Sequence, residues 1–290
     1  MSVRFIDLFA GIGGFHLAFK NLGAECILAC ENDKFARETY IANHGDLRHN
    51  FVNDANSLFS SAKTIPDFDI LCAGFPCQSF SVAGKGEGLK DPRGHLFYVI
   101  TAILRDKHPK AFFLENVRGL LSHNNGETFK HITNLLRSEG YSFYWKLIKA
   151  SDHGLPQFRP RVYMVGFKDK SIDFTFPEPV PLKFTMSDIL CNDKDREDKY
   201  GYGIEYARVG YTIRVGGRGS PLGDRRNWDG YLLCDGTVYR LTINDMKKIM
   251  GFPDDFIFPV SNTQAMKQLG NSVAIDVVQA IGRQIMECLK

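Results

Sequence analysis

The 290-residue chain has an ordinary globular composition, with 44% hydrophobic and 24% charged residues, which argues against a disordered protein. No apolar run approaches the roughly 20 residues that a membrane-spanning helix needs. The seven cysteines form neither a CxxC pair nor a regular spacing, so we expect reduced thiols in a cytoplasmic protein rather than disulfides or a zinc site. Because the net charge is only +3, any signal for nucleic-acid binding must be local.

Short apolar runs alternate with helical patterns in the first half of the chain. The predicted strands are 3–9, 25–32, 67–75 and 110–117, and the predicted helices are 15–23 and 34–44. This alternation predicts parallel β-α-β units, and therefore an α/β fold with a doubly wound, mostly parallel sheet. Residues 141–150 and 159–167 then suggest two strands joined by a loop as an antiparallel pair.

The composition changes near residue 170. A proline-rich stretch and a mixed charge run are followed by residues 201–240, which are rich in Gly, Arg and Tyr. We therefore predict a smaller domain with little regular helix over residues 169–264. Residues 1–168 and 265–290 would form the larger domain.

The C-terminal segment 271–289 is apolar at helical spacing. Asn271 or Ser272 is the predicted N-cap of this helix. We expect its apolar face to dock onto the larger domain.

Glycines and reactive side chains occur where four predicted strands end. They are Gly11, Gly13 and Gly14 after the first strand, Glu31 at the end of the second, Cys77 just past the third, and Glu115 at the end of the fourth. Ligands of open parallel sheets bind beyond the carboxyl ends of the strands. The four positions together predict a single cleft.

The first of these positions is the "AGIGG" turn, which permits a tight bend and close approach of a ligand to the backbone. It is not a complete G-x-G-x-x-G, so phosphate binding does not follow and a purely structural turn is an alternative. Glu31 has the spacing of an acid that binds ribose hydroxyls. Asp54 either accepts a hydrogen bond from an adenine amino group or caps an Asx-turn.

Cys77 lies on a loop rich in serine and glycine. A free cysteine has a pKa of about 8.5, so a reactive thiol needs a cation or aligned N–H groups nearby. Gln157, Arg159 and Arg161 alternate, which places them on one face of an extended chain. The alternatives are an inert buried thiol and a solvated strand edge.

Glu115 follows an apolar run that would carry it inward. A buried carboxylate must be paired or protonated. A protonated glutamate can donate to a ring nitrogen of a nucleobase, although a helix-capping glutamate is the alternative.

Six motifs occur in the order of one known family. They are "DLFAGIGGF", "GFPCQSFS", "ENV", "QFRPRVYMVGF", "LTINDMKKIMGFPDDF" and "GNSVAIDVV". The chain closely resembles the DNA (cytosine-5)-methyltransferases, bacterial modification enzymes in particular, over all but about residues 170–235. "GFPCQSFS" followed by "ENV" and "QxRxR" is highly specific for them. Asn32 departs from the family, which often has an aromatic residue there, as does Ile243, where proline is frequent.

The resemblance implies a Rossmann-like methyltransferase fold and transfer of a methyl group from S-adenosylmethionine to C5 of cytosine in a specific double-stranded DNA sequence, leaving S-adenosylhomocysteine. Cys77 would add to C6, and Glu115 would bind N3 and the exocyclic amine. Arg161 would hold O2, and Arg159 would support the adduct and the loop. The base must be flipped out, and residues 78–94 would close over it as a mobile loop.

The resemblance also implies two sets of binding residues and no metal. The cofactor set is Phe9, Ala10, Gly11, Gly13, Gly14, Phe15, Glu31, Asn32, Asp54, Asn271 and Ser272. The DNA set is Phe75, Pro76, Gln78, Ser81, Arg93, Asn116, Gln157, Thr212, Arg214, Arg218, Arg225 and Arg226. Arginine binds guanine bidentately, so the arginine-rich part of this set predicts a site with G·C pairs, although several arginines would only neutralise phosphate.

The implied protein is monomeric, cytoplasmic and associated with the nucleoid, with no membrane contact. Its implied partner is a separately encoded restriction endonuclease, as in a restriction-modification system. Three alternatives stay open: a tRNA cytosine-5 methyltransferase, a nucleotide-dependent oxidoreductase and a non-catalytic DNA-binding relative.

Overall fold

The main sheet of the protein is mixed and mostly parallel. A computed structural model describes residues 2–45, 50–76, 95–190, 208–233 and 237–290. Within these ranges the sheet has seven strands: β1 Arg4–Leu8, β2 Glu25–Cys30, β3 Phe51–Val52, β4 Ile70–Gly74, β5 Ala111–Val117, β6 Tyr144–Lys149 and β7 Pro160–Phe167. Their spatial order is β3-β2-β1-β4-β5-β7-β6. The first five are parallel, β7 runs antiparallel to β5, and β6 runs antiparallel to β7.

Strands β1, β2, β4, β5 and β7 form because their apolar runs are buried on both faces of the sheet. Successive side chains of a strand point to opposite faces. In β4, Cys72 joins one hydrophobic cluster while its neighbour Leu71 joins another, and in β5 Phe113 and Phe112 divide in the same way. The continuous apolar sequence is therefore typical of a sheet that is covered on both sides.

Helices cover the two faces. The helices of the described chain are α1 Gly14–Lys20, α2 Lys34–His44, α3 Asn56–Ser61, α4 His95–Lys107, α5 Glu127–Ser138, α6 Met186–Leu190, α7 Ile243–Met250, α8 Asn262–Asn271 and α9 Ile275–Cys288. Helices α1 and α9 pack together on one face, and α3, α4 and α5 bury side chains in the cluster on the other. The predicted doubly wound α/β sheet is confirmed. So is the docking of the C-terminal helix, because Val278 and Ile281 lie in the same cluster as Phe5.

The predicted N-cap of the C-terminal helix was wrong. Asn271 and Ser272 do not cap the C-terminal helix: Asn271 ends α8, Ser272 is the C-cap of α8, and Ala274 is the N-cap of α9. The extended backbone at Ser272 and Ala274 delays the start of α9 to Ile275, and the preceding helix α8 was not predicted.

The described part of residues 169–264 contains the two short helices α6 and α7 and the start of α8. Helix α7 begins with a capping box, in which the Thr242 hydroxyl accepts from the Asp245 N–H and the Asp245 carboxylate accepts from the Thr242 N–H. This region adds a small antiparallel sheet, β8 Gly230–Leu232 and β9 Val238–Arg240. Its buried Trp228 and Met246 share a cluster with Phe113 of β5.

None of the described helices is both long and apolar enough to cross a membrane. The described ranges also contain no group of three or more His, Cys, Asp or Glu side chains arranged to hold a metal ion.

Candidate active site

A cavity of about 590 Å³ lies beyond the carboxyl ends of β1, β2, β4 and β5. It is lined by Gly11 and Gly14 after β1, Glu31 after β2, Phe75 and Pro76 after β4, and Glu115 of β5. This confirms that the predicted strand ends meet in one cleft. The predicted residues Cys77, Gln78, Ser81 and Arg93, and the predicted loop 78–94, lie outside the described residues.

The predicted cofactor residues line this cavity with one exception. The members on its wall are Phe9, Ala10, Gly11, Gly14, Phe15, Glu31, Asn32, Asp54, Asn271 and Ser272. Gly13 lies behind the turn, where it has a positive φ of 83° and any side chain would overlap the ring of His44. Gly14 is needed for a different reason, since a Cβ there would lie 2.6 Å from Cγ2 of Val273.

Glu31 holds the glycine turn in place. One oxygen of its carboxylate accepts from the Gly11 N–H at 2.8 Å and the other accepts from the Asp33 N–H at 2.7 Å. Asn32 follows it, and the Asn32 carbonyl accepts from Arg37 at 2.7 Å. Each Glu31 oxygen keeps capacity for a further hydrogen bond, as a ribose hydroxyl would require.

Asp54 forms the predicted Asx-turn and keeps one carboxylate oxygen without a partner in the described part of the chain. Its Oδ1 accepts from the Asn56 backbone N–H at 2.9 Å, which is an Asx-turn. Its Oδ2 has no hydrogen-bond partner within the described part of the chain, and the residue lines the cavity. One carboxylate oxygen therefore holds the side chain in place, and the other can accept a hydrogen bond from a ligand in the cavity.

Glu115 and Arg161 form a buried ion pair at the inner end of the cavity. Arg161 Nε lies 3.0 Å from Glu115 Oε1, and both side chains are 11% exposed. The register places Gly74 of β4 beside Glu115, and a Cβ at residue 74 would lie 3.8 Å from Glu115 Oε2. Burial raises the pKa of Glu115, and the charge of Arg161 opposes this shift. The carboxyl group therefore keeps a proton to higher pH than usual, next to a fixed cation.

Asn116 fixes the backbone that leads to Cys77. Its side chain is buried and donates to the Phe75 carbonyl at 2.9 Å, while its own oxygen accepts from the Val117 N–H. Phe75 packs edge-on against Phe97. Asn116 also lines the cavity, so its predicted contact with DNA stays a prediction beside its hydrogen bond to Phe75.

The predicted alternation of Gln157, Arg159 and Arg161 on one face holds for the two arginines only. Both line the cavity. Gln157 precedes β7 and is completely buried, with its oxygen accepting from the Ile213 N–H at 2.9 Å and its nitrogen 3.2 Å from Met250 Sδ. The predicted contact of Gln157 with DNA therefore does not fit, because its side chain has no exposed surface in this structure.

Arg159 is also buried, and its terminal nitrogens are occupied by backbone. They donate to the carbonyls of Ile213, Gly270 and Ser272 at 2.6, 2.9 and 2.6 Å. Burial lowers the pKa of Arg159 and the charge of Arg161 lowers it further, while Glu115 opposes both.

Residues 212–226, which we call the recognition segment, contain the arginines that were predicted to bind DNA. These arginines lie outside the cavity and differ in their contacts. Arg226 pairs with Asp224 at 2.8 Å, Arg214 donates to the Arg225 carbonyl at 2.9 Å, and Arg218 lies 4.0 Å from Asp229. The guanidinium of Arg225 has no partner among the described residues. The Thr212 hydroxyl donates to the Phe158 carbonyl.

Sequence reasoning missed the residues that shape this segment. Asp229 is buried and accepts from the Gly219 N–H at 3.0 Å and from Arg240 at 2.9 Å. Trp228 donates through Nε1 to the Gly216 carbonyl at 2.8 Å. The sequence sign that could have revealed them is the pair Trp228–Asp229, an apolar and an acidic residue that follow shortly after an arginine-rich run. The α8 residues Gln264, Lys267 and Gln268, which also line the cavity, had no comparable signal.

Comparison with known proteins identifies the family. The model of the C-5 cytosine-specific DNA methylase family matches residues 3–214 and 216–287. The Type II methyltransferase M.HpaII of Haemophilus parainfluenzae is 41% identical over 98% of this chain and 89% of its own length. For M.HhaI of Haemophilus parahaemolyticus the values are 40%, 98% and 94%.

Solved structures support the fold. The Dnmt2 methyltransferase of S. pombe matches with a TM-score of 0.72 and 18% identity over 100% of both chains. The methyltransferase EhMeth of Entamoeba histolytica matches with a TM-score of 0.66 and 22% identity over 100% of this chain and 99% of its own. The chain therefore belongs to the C-5 cytosine-specific DNA methylase family and is a DNA (cytosine-5)-methyltransferase.

Proposed function

We propose that the cavity binds S-adenosylmethionine beside an extruded cytosine, and that Cys77 attacks this base while Glu115 and Arg161 hold its edge. The observation that carries the proposal is the buried Glu115–Arg161 pair, which faces the cavity. Glu115 lies on β5, the strand next to β4, and Arg161 lies on β7, on the other side of β5. The chain of β4 continues through Pro76 to Cys77 in the sequence. A cytosine edge presents two acceptors and one donor, and a guanidinium and a protonated carboxyl group complement them.

The residues on the cavity wall fit S-adenosylmethionine. The Glu31 carboxylate suits the ribose hydroxyls, and the free Asp54 oxygen suits the adenine amino group. The bend at Gly11 and Gly14 lets a ligand approach the backbone closely. When bound, this cofactor supplies an electrophilic methyl group.

Cys77 provides the reactivity that cytosine lacks. Addition of its thiolate to C6 breaks the C5–C6 double bond and makes C5 nucleophilic, while Glu115 donates a proton or hydrogen bond at N3. The N–H groups of Arg161 donate hydrogen bonds to O2 and so stabilise the negative charge that develops there. After methyl transfer, water acting as a base removes the C5 proton, the electron pair of the C5–H bond restores the C5–C6 double bond, and the C6–S bond breaks to release the thiolate. A proton taken up at N3 returns to Glu115, so the enzyme is regenerated. Covalent catalysis of this kind divides one difficult step into easier ones.

Base extrusion follows from the depth of this site. Glu115 is only 9% exposed, so a base within a stacked duplex could not reach it. Flipping a base costs a few kcal/mol, which contacts to the base and to the flanking DNA must offset. We assign those flanking contacts to the arginine-rich segment that contains Arg214, Arg218, Arg225 and Arg226.

Methyl transfer to duplex DNA tests this function, with bisulfite sequencing to locate the product. The wild-type protein should convert cytosine to 5-methylcytosine in one sequence context. Cys77→Ser should lose more than about 10³-fold in rate, as removal of a catalytic nucleophile does. It should bind S-adenosylhomocysteine within about threefold of wild type, because Glu31 and Asp54 are unchanged.

Cys288→Ser is the matched control, since Cys288 lies at the end of α9, away from the cavity. It should keep wild-type activity. A fully active Cys77→Ser protein would refute the proposal, and methylation of tRNA in preference to duplex DNA would favour the tRNA enzyme.

We further propose that the enzyme belongs to a restriction-modification system and protects DNA from a separately encoded endonuclease. The relatives M.HpaII and M.HhaI, named as Type II methyltransferases, support this role. We also propose that the enzyme is a monomer and that it lies in the cytoplasm, associated with the nucleoid. Residues 1–168 and 265–290 would form its catalytic and cofactor-binding domain, and residues 169–264 its target-recognition domain.

A further inference from the structure

Three separate segments of the chain meet at the side chain of Arg159. Its Nη1 donates to the Ile213 carbonyl at 2.6 Å, in the segment that leads into Arg214. Its Nη2 donates to the carbonyls of Gly270 and Ser272 at 2.9 and 2.6 Å. Gly270 and Ser272 line the cavity, whereas Ile213 does not. Arg159 therefore joins the cavity wall to the arginine-rich recognition segment.

Both backbone groups of Ile213 form hydrogen bonds at this contact. The Ile213 N–H donates to Gln157 Oε1 at 2.9 Å, while its carbonyl accepts from Arg159. Upstream, the Phe158 N–H donates to the Gly210 carbonyl at 2.9 Å, and the Gly210 N–H donates to the Pro156 carbonyl at 2.9 Å. Residues 210–213 are thus held along residues 156–159 as a short ladder.

The recognition segment also touches the cavity wall directly. A Cβ at Gly270 would lie 2.7 Å from the Arg214 carbonyl carbon and 2.9 Å from the Val215 N. Glycine is required at this position because the two backbones are in contact. A shift of residues 270–272 on ligand binding cannot leave residues 213–215 unchanged.

The chemistry of Arg159 makes this contact sensitive to position. The side chain is 2% exposed, and its terminal N–H groups donate to carbonyl oxygens of residues 213, 270 and 272. Its Nε is buried without a hydrogen-bond partner. Because a buried charge with unpaired donors is costly, movement of either segment alone is opposed.

We propose that Arg159 is a positioning residue. It couples occupancy of the cofactor cavity to the placement of residues 212–215, at the start of the recognition segment. This inference rests on the proposed function, in which the cavity holds the cofactor. It replaces the predicted direct support of the covalent adduct by Arg159 with an action through backbone carbonyls. Coupling of this kind is reciprocal, so cofactor and DNA each raise the affinity for the other by the same factor.

The test is the ratio of DNA affinities with and without S-adenosylhomocysteine, measured for wild type, Arg159→Lys and Arg159→Met. The DNA is a duplex carrying the context found by bisulfite sequencing. For wild type we expect product to tighten DNA binding about tenfold, within the usual range of coupling between sites. Both variants should bring this ratio below about twofold, because neither side chain can hold all three carbonyls.

Arg225→Met is the matched control, since the Arg225 guanidinium has no partner in the described chain and the substitution keeps the backbone carbonyl that accepts from Arg214. It should weaken DNA binding by the same factor with and without product, so the ratio stays near tenfold. A purely structural role of Arg159 would lower the unfolding temperature without changing this ratio. Reciprocal titration of product with and without DNA must return the same ratio.

Amide hydrogen exchange on the wild-type protein provides a second measurement if both Arg159 variants fail to fold. Binding of S-adenosylhomocysteine should slow exchange at residues 210–215, although these residues lie outside the cavity wall. An unchanged ratio in a folded Arg159→Met protein, a wild-type ratio near one, or no protection at residues 210–215 would each overturn the inference. A wild-type protein that binds no S-adenosylhomocysteine would instead remove the proposed cofactor site itself.

Discussion

At the scale of single residues, Glu115 shows how its surroundings set a proton equilibrium. Burial favours the neutral carboxyl group, and Arg161 at 3.0 Å favours the carboxylate. The net effect is a raised pKa, so the protonated donor persists to higher pH than for an exposed glutamate. A base that docks against this pair meets a proton donor and a cation together.

The pH dependence of the rate follows from this sign. Because the active form of Glu115 is protonated, kcat should fall as pH rises through the raised pKa. Glu115→Gln donates from a neutral amide at every pH, so it should be slower by about 10²–10⁴-fold and should lack the falling limb. Steady-state methyl transfer at a series of pH values measures both effects.

Glu25→Gln is the control for this experiment, since Glu25 is exposed at the start of β2. It should keep the wild-type profile. The same falling limb in Glu115→Gln would show that another group titrates.

The residue scale also separates what the sequence could reveal from what it could not. The roles proposed for Cys77 and Glu115 come from short, local motifs that resemble those of one family. The same resemblance predicted that Arg159 acts at the adduct, whereas its three carbonyl partners lie 54 to 113 residues away in the sequence. Such contacts leave no mark on the local sequence.

At the scale of elements, helix α2 supports the glycine turn from behind. At the end of α2, His44 Nε2 lies 3.2 Å from the Ile12 carbonyl oxygen. The His44 ring stacks on the His16 ring, with 4.2 Å between the ring centroids. His16 in turn lies 2.5 Å through Nδ1 from the Tyr40 hydroxyl. His44 Nδ1 is buried without a partner, so a proton there would have no acceptor.

This packing predicts sensitivity to acid. Burial lowers the pKa of His44 to about 4 and that of His16 to about 3, from 6.5. Both therefore contribute stability that is complete above pH 6.5 and is lost as pH falls toward these values. His44→Gln still donates to Ile12 but does not titrate, so between pH 6.5 and 4 it should lose roughly 2 kcal/mol less unfolding free energy than wild type.

Urea unfolding at several pH values measures this difference. His108→Asn is the control, because His108 is exposed and has a positive φ that asparagine tolerates. It should follow the wild-type curve. Equal loss of stability in wild type and His44→Gln would contradict the account.

Element prediction succeeded where burial alone decides and failed where caps decide. Strands β1, β4 and β5 were found because both faces of each are apolar. The N-cap of α9 was placed at Asn271 or Ser272 instead of Ala274, because asparagine and serine are typical N-cap residues, while the extended backbone at Ser272 and Ala274 leaves no sign in the sequence. Helix α7 carried a readable sign, its Thr242 and Asp245 capping box.

At the scale of the whole molecule, the sheet order accounts for the site. Strands β1, β2, β4 and β5 are neighbours and parallel, so their carboxyl ends form one rim. The antiparallel strand β7 brings Arg161 to the same rim from the opposite direction, beside Val117 in register. Residues 169–264 bury Trp228 and Met246 against this layer, so the recognition segment is attached to the catalytic core through shared hydrophobic packing.

The proposed mechanism depends on a covalent bond between the Cys77 sulfur and C6 of an extruded cytosine. Covalent trapping on a duplex that contains 5-fluorocytosine tests this most directly, because fluorine at C5 blocks the release step. With S-adenosylmethionine present, we predict a denaturant-resistant protein–DNA complex whose cross-linked peptide carries the base on Cys77. Methyl transfer without any trapped complex, or a cross-link mapped to another residue, would contradict the account.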